Sequence, residues 1–303
     1  MSKRIAALDL GTNTFHLLIA DVAENQIKSI VHAEQSHVKL GEGGISKGLL
    51  SDEAQDRALA ALTLFSASIR KFNVDEIRTA GTAALRSAQN TLGFMDRIRE
   101  KTGLNIDVID GDREAILIFK GVQQAVNTKG NYLVMDIGGG SVEFIIAAAE
   151  AILWKKSYPI GAARLMAVFH HSDPISEAER LAIHQHLDGL LTDLILEARK
   201  RGIEQLIGSA GAFETFASLS RFKQGHVLKA EKTYSFDTAI LNGVLEDIIN
   251  SVHDERAANP LILPVRTDMI VVASILTRYV LQQLKISSVT MTSYALKEGL
   301  LVD

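Results

Sequence analysis

The sequence predicts an α/β fold of two duplicated lobes, each built on a mostly parallel sheet that a β-hairpin opens. Three observations carry this. At 303 residues the chain exceeds one ordinary domain and suits two. Residues 7–19 align without a gap on residues 134–146, each copy reading apolar run, Asp, glycine turn ending in a hydroxyl residue, apolar run. Around the copies, strand-like runs alternate with helical patterns, the order that generates a parallel sheet.

The first copy places Asp9 at the end of a strand, followed by the turn Gly11, Thr12, Asn13 and Thr14. Ser51 is a helix N-cap with Asp52 and Glu53 in the first turn, where acids complement the helix dipole. Ala58, Leu62, Phe65, Ile69 and Phe72 then recur at alternating spacings of four and three, the stripe of an amphipathic helix. Residues 76–80 and 106–109 read as short buried strands, and residues 113–126 as a helix. The lobe boundary falls near residues 124–130, where polar residues and Gly130 precede the second copy. That copy ends its strand at Asp136, turns through Gly138, Gly139, Gly140 and Ser141, and continues with Glu143. Ser176 and Glu179 form a capping box that opens one long helix to about Arg201, with Leu187, Leu190, Leu191, Leu194 and Ala198 as its buried face. Residues 205–208 and 288–291 read as strands, residues 267–285 as a strongly apolar helix, and residues 293–301 as a short terminal one. Trp154, the one tryptophan, is expected in a strand and in the core.

Composition narrows the function. The chain is 47% hydrophobic and 22% charged with a formal net charge of −4, so it is globular and carries no field that draws nucleic acid or a membrane surface. Each half is close to neutral, so a bound anion must be held by local geometry. The absence of cysteine excludes disulfides and thiolate metal sites. His184 and His186 stand two positions apart on a helix and His170 and His171 are adjacent, neither the spacing of a zinc pair. No signal-peptide core is expected at the N-terminus, and apolar runs such as residues 144–149 are far shorter than the ~20 residues of a membrane span. A cytoplasmic location is expected.

The chemistry-bearing residues gather at glycines. A glycine turn between strands exposes successive backbone N–H groups that converge on an anion, and the hydroxyls of Thr12, Thr14 and Ser141 add donors. Asp9 and Asp136 end their strands beside these turns and carry the oxygen ligands that Mg²⁺ prefers, although each copy alone also reads as a plain hairpin. Gly81 follows a strand and opens a helix carrying Arg86, either a surface arginine or a clamp able to make two parallel hydrogen bonds to phosphate. Glu114 sits in the first turn of the helix after Asp110-Gly111. Spacing alone favours a cap, and the other reading is a carboxylate that orients or deprotonates water. Residues 208–215 form another strand-to-helix glycine turn, a tight connection or a place for a ribose or a further phosphate.

Together these segments resemble the exopolyphosphatase/guanosine pentaphosphate phosphohydrolase (Ppx/GppA) family of the actin and sugar-kinase superfamily. The resemblance runs through Asp9 to Leu18, Gly81 to Arg86, Gly111 to Ala115 and Asp136 to Glu143, with weaker matches at residues 208–215, 264–268 and 294–299. It implies two actin-like (ribonuclease H-like) lobes, residues 1–125 with the catalytic residues and residues 126–303, the last helix packing back on the first lobe and the active site in the interlobe cleft. It also implies that Glu114 is the catalytic base, replacing the cap reading, and that Arg86 binds the scissile phosphate. Gly11, Thr12, Asn13 and Thr14 would cradle the chain's phosphates with Gly138, Gly139, Gly140 and Ser141. Asp136 and Glu143, with Asp9, would hold Mg²⁺.

The activity so implied is release of terminal phosphate from inorganic polyphosphate, or of the 5′ γ-phosphate from guanosine pentaphosphate. Thr12-Asn13-Thr14 stands where the family usually has Ser-Asn-Ser, which keeps the hydroxyls. Longer members carry a C-terminal helical domain of HD type, and a chain ending at Asp303 is expected to act on short polyphosphate. Two other readings share the superfold: an ATP-dependent kinase with an adenosine pocket around residues 208–215, and a non-catalytic sensor of guanosine polyphosphates. The expected partners are polyphosphate or guanosine pentaphosphate, with a homodimer as a candidate assembly.

Overall fold

The structure, a computed structural model, describes residues 2–44, 47–226 and 231–303. In chain order, β1 (Lys3–Leu10), β2 (Phe15–Ala23) and β3 (Gln26–Ser36) are followed by α1 (Asp52–Lys71), β4 (Glu76–Gly81), α2 (Ala83–Ser87), α3 (Thr91–Thr102) and α4 (Gly111–Gln123). The chain continues through β5 (Asn131–Ile137), β6 (Val142–Ala148), β7 (Ala151–Tyr158), α5 (Ala162–Phe169), α6 (Glu177–Leu190) and α7 (Thr192–Lys200). Then come β8 (Gln205–Ser209), α8 (Ala210–Lys223), β9 (Thr233–Ser235), α9 (Thr238–Asn250), α10 (His253–Ala258), α11 (Met269–Leu284), β10 (Ser288–Thr292) and α12 (Leu296–Leu301). Two compact units result. The first comprises the chain up to Gln124 together with Gly138–Gly140 and Tyr294–Asp303, and the second Ala125–Ile137 and Ser141–Ser293.

The first unit is a sheet of order β3-β2-β1-β4. β1 is buried on both faces because its apolar run is nearly continuous. Ala6, Leu8 and Leu10 join Leu62 and Phe65 of α1 and Phe94 and Ile98 of α3 in one core. α1 forms as its pattern demands: Ser51 Oγ accepts from the Ala54 N–H, Asp52 and Glu53 fill the first turn, and Ala58, Leu62, Phe65 and Ile69 are buried. The last helix, α12, packs against β1 and α4. It gets close because two glycines face each other's backbones. A Cβ on Gly121 would collide with the Ala295 carbonyl oxygen, and one on Gly299 with that of Leu117. Arg113 and Lys120 of α4 ion-pair with Asp303, and Arg78 donates to the carbonyls of Leu300 and Leu301.

The second unit is a sheet of order β7-β6-β5-β8-β10-β9. Leu133, Met135, Phe144 and Ile146 lie in its core with α11, whose apolar sequence is buried over most of its surface. Both sheets are mixed. β1 pairs parallel with β4, and β5 and β10 pair parallel with β8, while β2, β3, β6, β7 and β9 pair antiparallel. The expected mostly parallel sheets are therefore corrected. Each hairpin gains a third antiparallel strand, β3 or β7, whose alternating half-polar sequence carries no buried run.

Three further expectations change. The helix expected from Ser176 to Arg201 is two helices parted at Leu191, where Gly189 lowers helical propensity and Thr192 Oγ1 donates back to the Asp188 carbonyl at 2.9 Å. Residues 106–109 form only a one-residue bridge from Val108 to Gly81, because the hydroxyl of Thr79 takes the place of the ladder, accepting from Asp107 N–H at 2.8 Å and donating to Asn105 O at 3.0 Å. Trp154 is half-buried against the core rather than within it.

Candidate active site

The first glycine turn closes on itself and is held from outside. Gly11 N–H donates to the Thr14 carbonyl at 3.2 Å, and a Cβ on Gly11 would lie 2.9 Å from that same oxygen, so only glycine closes the turn this tightly. Thr12 is buried, and its carbonyl accepts from Gly41 N–H at 3.0 Å, while that of Asn13 accepts from Lys39 N–H at 2.8 Å. The Gly138–Gly140 tripeptide, a member of this same unit, lies against the turn. A Cβ on Gly139 would stand 3.1 Å from Thr12 Cβ, and one on Gly140 2.6 Å from Thr12 Oγ1 and 2.7 Å from Ala83 Cβ. Three glycine-bearing segments far apart in sequence thus meet within one unit, their bare backbones approaching where side chains would block them.

The pair Arg86 and Glu114 comes together because β4 ends against the start of α4. Gly81 N–H donates to Asp107 O at 2.7 Å, and Ile109 N–H returns to Gly81 O at 3.0 Å. α2 is a helix of five residues that turns Arg86 toward this junction, where one guanidinium nitrogen, Nη1, is 2.9 Å from both Glu114 Oε2 and the Ile109 carbonyl. The cap of α4 is Asp110, whose carboxylate accepts from Arg113 N–H at 2.7 Å. Glu114 is therefore not the N-cap, although with Asp112 it stands in the first turn of α4, where an acid complements the helix dipole. Its carboxylate is buried at 6% exposure and held by Arg86.

The second hairpin makes a different arrangement. Asp136 of β5 stands directly opposite Glu143 of β6, with Ser209 of β8 beside Asp136 and Ser157 of β7 beside Glu143. Ser209 Oγ donates to Asp136 Oδ2 at 2.5 Å, and Ser157 Oγ donates to Glu143 Oε1 at 2.6 Å. Both carboxylates are buried, and directly opposed strand residues hold their Cβ atoms about 4.5–5.5 Å apart. Two ionised acids so close would repel each other, and an oxygen-seeking cation would relieve that repulsion. Among the described residues no group of three or more His, Asp or Glu is arranged to hold a metal. A cation here would therefore draw on two carboxylates and fill its shell with water and substrate oxygens, the habit of Mg²⁺. Asp9, the third expected ligand, lies half-buried in the first unit, opposite His16 on β2 and Ala80 on β4. Ser141, the last residue of the second turn, is buried in the second unit.

The turn at residues 208–215 is occupied by protein. The Phe213 ring covers Gly208, and the Arg266 guanidinium lies over Gly211, donating to Thr215 Oγ1 at 3.2 Å and to Glu214 Oε2 at 3.3 Å. Burial lowers the Arg266 pKa against the opposing pull of Glu214. No sequence motif assigns a role to Ser157, Ser209 or His37, the last of which approaches Thr14. The two serines become visible only through strand register, and His37 only through the loop that follows β3.

Comparison with known proteins adds the following. Residues 18–303 match the Ppx/GppA phosphatase family. A Haemophilus influenzae protein, provisionally described as an exopolyphosphatase, is 31% identical over 253 residues, spanning 83% of this chain and 76% of its own. The crystal structure of an exopolyphosphatase from Cytophaga hutchinsonii superposes with a TM-score of 0.94 at 39% identity, covering 98% of this chain and 96% of its own. A PPX-GPPA enzyme of Aquifex aeolicus shares the fold with a TM-score of 0.84 at 22% identity, over 100% of this chain and 99% of its own.

Proposed function

The chain belongs to the Ppx/GppA phosphatase family, with a two-unit α/β fold, and from that premise we infer that it is an exopolyphosphatase-type hydrolase of phosphoanhydride bonds, releasing terminal phosphate from inorganic polyphosphate. The observation that carries the assignment of roles is the Arg86–Glu114 pair, built at the end of β4 in the same unit that holds Gly11 to Thr14 and Gly138–Gly140.

In this reading the two turns offer backbone N–H groups and hydroxyls to the non-bridging oxygens of the phosphate chain. The terminal phosphoryl group lies against Arg86, whose guanidinium keeps donors beyond the nitrogen bound to Glu114 and Ile109. The Glu114 carboxylate orients a water and takes its proton as the water oxygen attacks phosphorus. The bridging oxygen leaves with its electron pair on the shortened chain. Donors held in place by α2 and by the glycine turns, and a carboxylate held by α4, need no reorganisation at that moment, which is the larger part of phosphoryl-transfer catalysis. Asp136 and Glu143 are the residues that would hold Mg²⁺, each with one oxygen fixed by a serine. When bound, Mg²⁺ supplies positive charge that offsets the phosphate oxygens.

Phosphate release from polyphosphates of graded length and from guanosine pentaphosphate, with Mg²⁺ varied, tests the reading. Release from polyphosphate is expected, and release from guanosine pentaphosphate alone would overturn the substrate assignment.

A further inference from the structure

The loop after β3 folds back over the first glycine turn and is fastened there. Lys39 and Gly41 give their N–H groups to the carbonyls of Asn13 and Thr12 at 2.8 and 3.0 Å. Lys39 adopts a left-handed backbone, φ +49, uncommon outside glycine, asparagine and aspartate. From α1, Arg57 donates to the carbonyls of Val38 at 2.8 Å and Lys39 at 3.2 Å, and to Glu42 Oε2 at 2.9 Å. The loop is thus laced to the turn on one side and to a helix on the other. At its head stands His37, exposed, with ring Nδ1 3.2 Å from Thr14 Oγ1.

That contact decides what Thr14 can do, because a hydroxyl has one proton. If Nδ1 is an acceptor, the Thr14 proton is spent on the imidazole and the hydroxyl offers an anion only lone pairs. If Nδ1 carries hydrogen, the imidazole donates to Oγ1 and the Thr14 proton is left for a phosphate oxygen. The second arrangement forms a chain of donors, His37 to Thr14 to phosphate, whose links polarise one another in the favourable sense.

We infer that His37 is a positioning residue for substrate binding: its Nδ1–H turns the Thr14 hydroxyl into a donor toward a non-bridging oxygen of the polyphosphate chain. This rests on the reading of Thr14 as a phosphate ligand. The role of His37 is in binding, through Thr14, and not in the bond-breaking step.

The test is steady-state phosphate release by the full chain with Mg²⁺ and polyphosphate, comparing Thr14→Val, His37→Ala, His37→Asn and the Thr14→Val/His37→Ala double variant. Thr14→Val is expected to raise KM on the order of ten-fold, the loss of one hydrogen bond to a charged group. His37→Ala should raise KM by several-fold with kcat nearly unchanged. His37→Asn, whose amide N–H replaces the Nδ1–H donor, should return KM to within about two-fold of the native value. The double variant should be no worse than Thr14→Val alone, since the two act as one unit. A raised KM for Thr14→Val with a native KM for His37→Ala, additive effects in the double variant, or failure of His37→Asn to rescue would each overturn the inference while leaving Thr14 as a ligand. A native KM for Thr14→Val would overturn both.

Discussion

The two copies of the hairpin share a backbone and differ in what they display. In the second unit, the row across β8, β5, β6 and β7 reads Ser209, Asp136, Glu143, Ser157. In the first, the corresponding row across β4, β1, β2 and β3 reads Ala80, Asp9, His16, Gln35. The leading Asp and the register are retained, but the opposing acid is a histidine and one of the two flanking hydroxyls is a methyl. Burial differs too. Asp136 and Glu143 are buried, whereas Asp9 and His16 are half-buried. One scaffold therefore builds two kinds of electrostatic surface. The second row concentrates negative charge and suits a cation. The first row does not, and its unit instead supplies the loop-fastened turn, Arg86 and Glu114.

Breaking the acid row is the strongest test of that difference. Glu143→Gln should raise the Mg²⁺ concentration giving half-maximal phosphate release by about 100-fold or more, whereas His16→Gln should leave it within about three-fold. Equal effects from the two would erase the distinction between the rows. The flanking hydroxyls come next. Ser157→Ala and Ser209→Ala each leave a carboxylate short of one donor, and loss of such a supporting partner typically costs about 10–100-fold in metal affinity. Isothermal titration with Mg²⁺ measures this, and Gln35→Ala in the first row should not register. A smaller effect concerns stability. If both opposed carboxylates are ionised without Mg²⁺, Glu143→Gln should be as stable as the native chain or more stable by about 0.2–1 kcal/mol, and any rise in Tm that Mg²⁺ gives the native chain should be lost. A native Tm indifferent to Mg²⁺ would remove the cation from this row.

How much of this was legible in the sequence varies with the range of the interaction. The hairpins, the α1 stripe and the Ser176–Glu179 capping box are local patterns of side-chain period and were readable as such. β3 carries no clear strand signal because none of its 11 residues is buried and the run reads as polar. The place of Glu114 could not be read from spacing, since three acids, Asp110, Asp112 and Glu114, fall at the start of α4 and each suits the helix dipole. What separates them is Arg86, 28 positions earlier, which reaches Glu114 while Asp110 takes the cap. Spacing favoured a cap at Glu114, and the structure gives that place to Asp110. Ser157 and Ser209 lay beyond both, since nothing in either neighbourhood shows that strand pairing brings them to a carboxylate.

We propose that one carboxylate, Glu114, handles water and that the Asp136–Glu143 row handles the cation. The measurement that tests this most directly is the Mg²⁺ dependence of kcat for Glu114→Gln beside Glu143→Gln, with polyphosphate saturating. Glu114→Gln should lose about 10²–10⁴ in kcat at every Mg²⁺ concentration, while Glu143→Gln should recover as Mg²⁺ is raised. Native kcat in Glu114→Gln, or its recovery by added Mg²⁺, would contradict it.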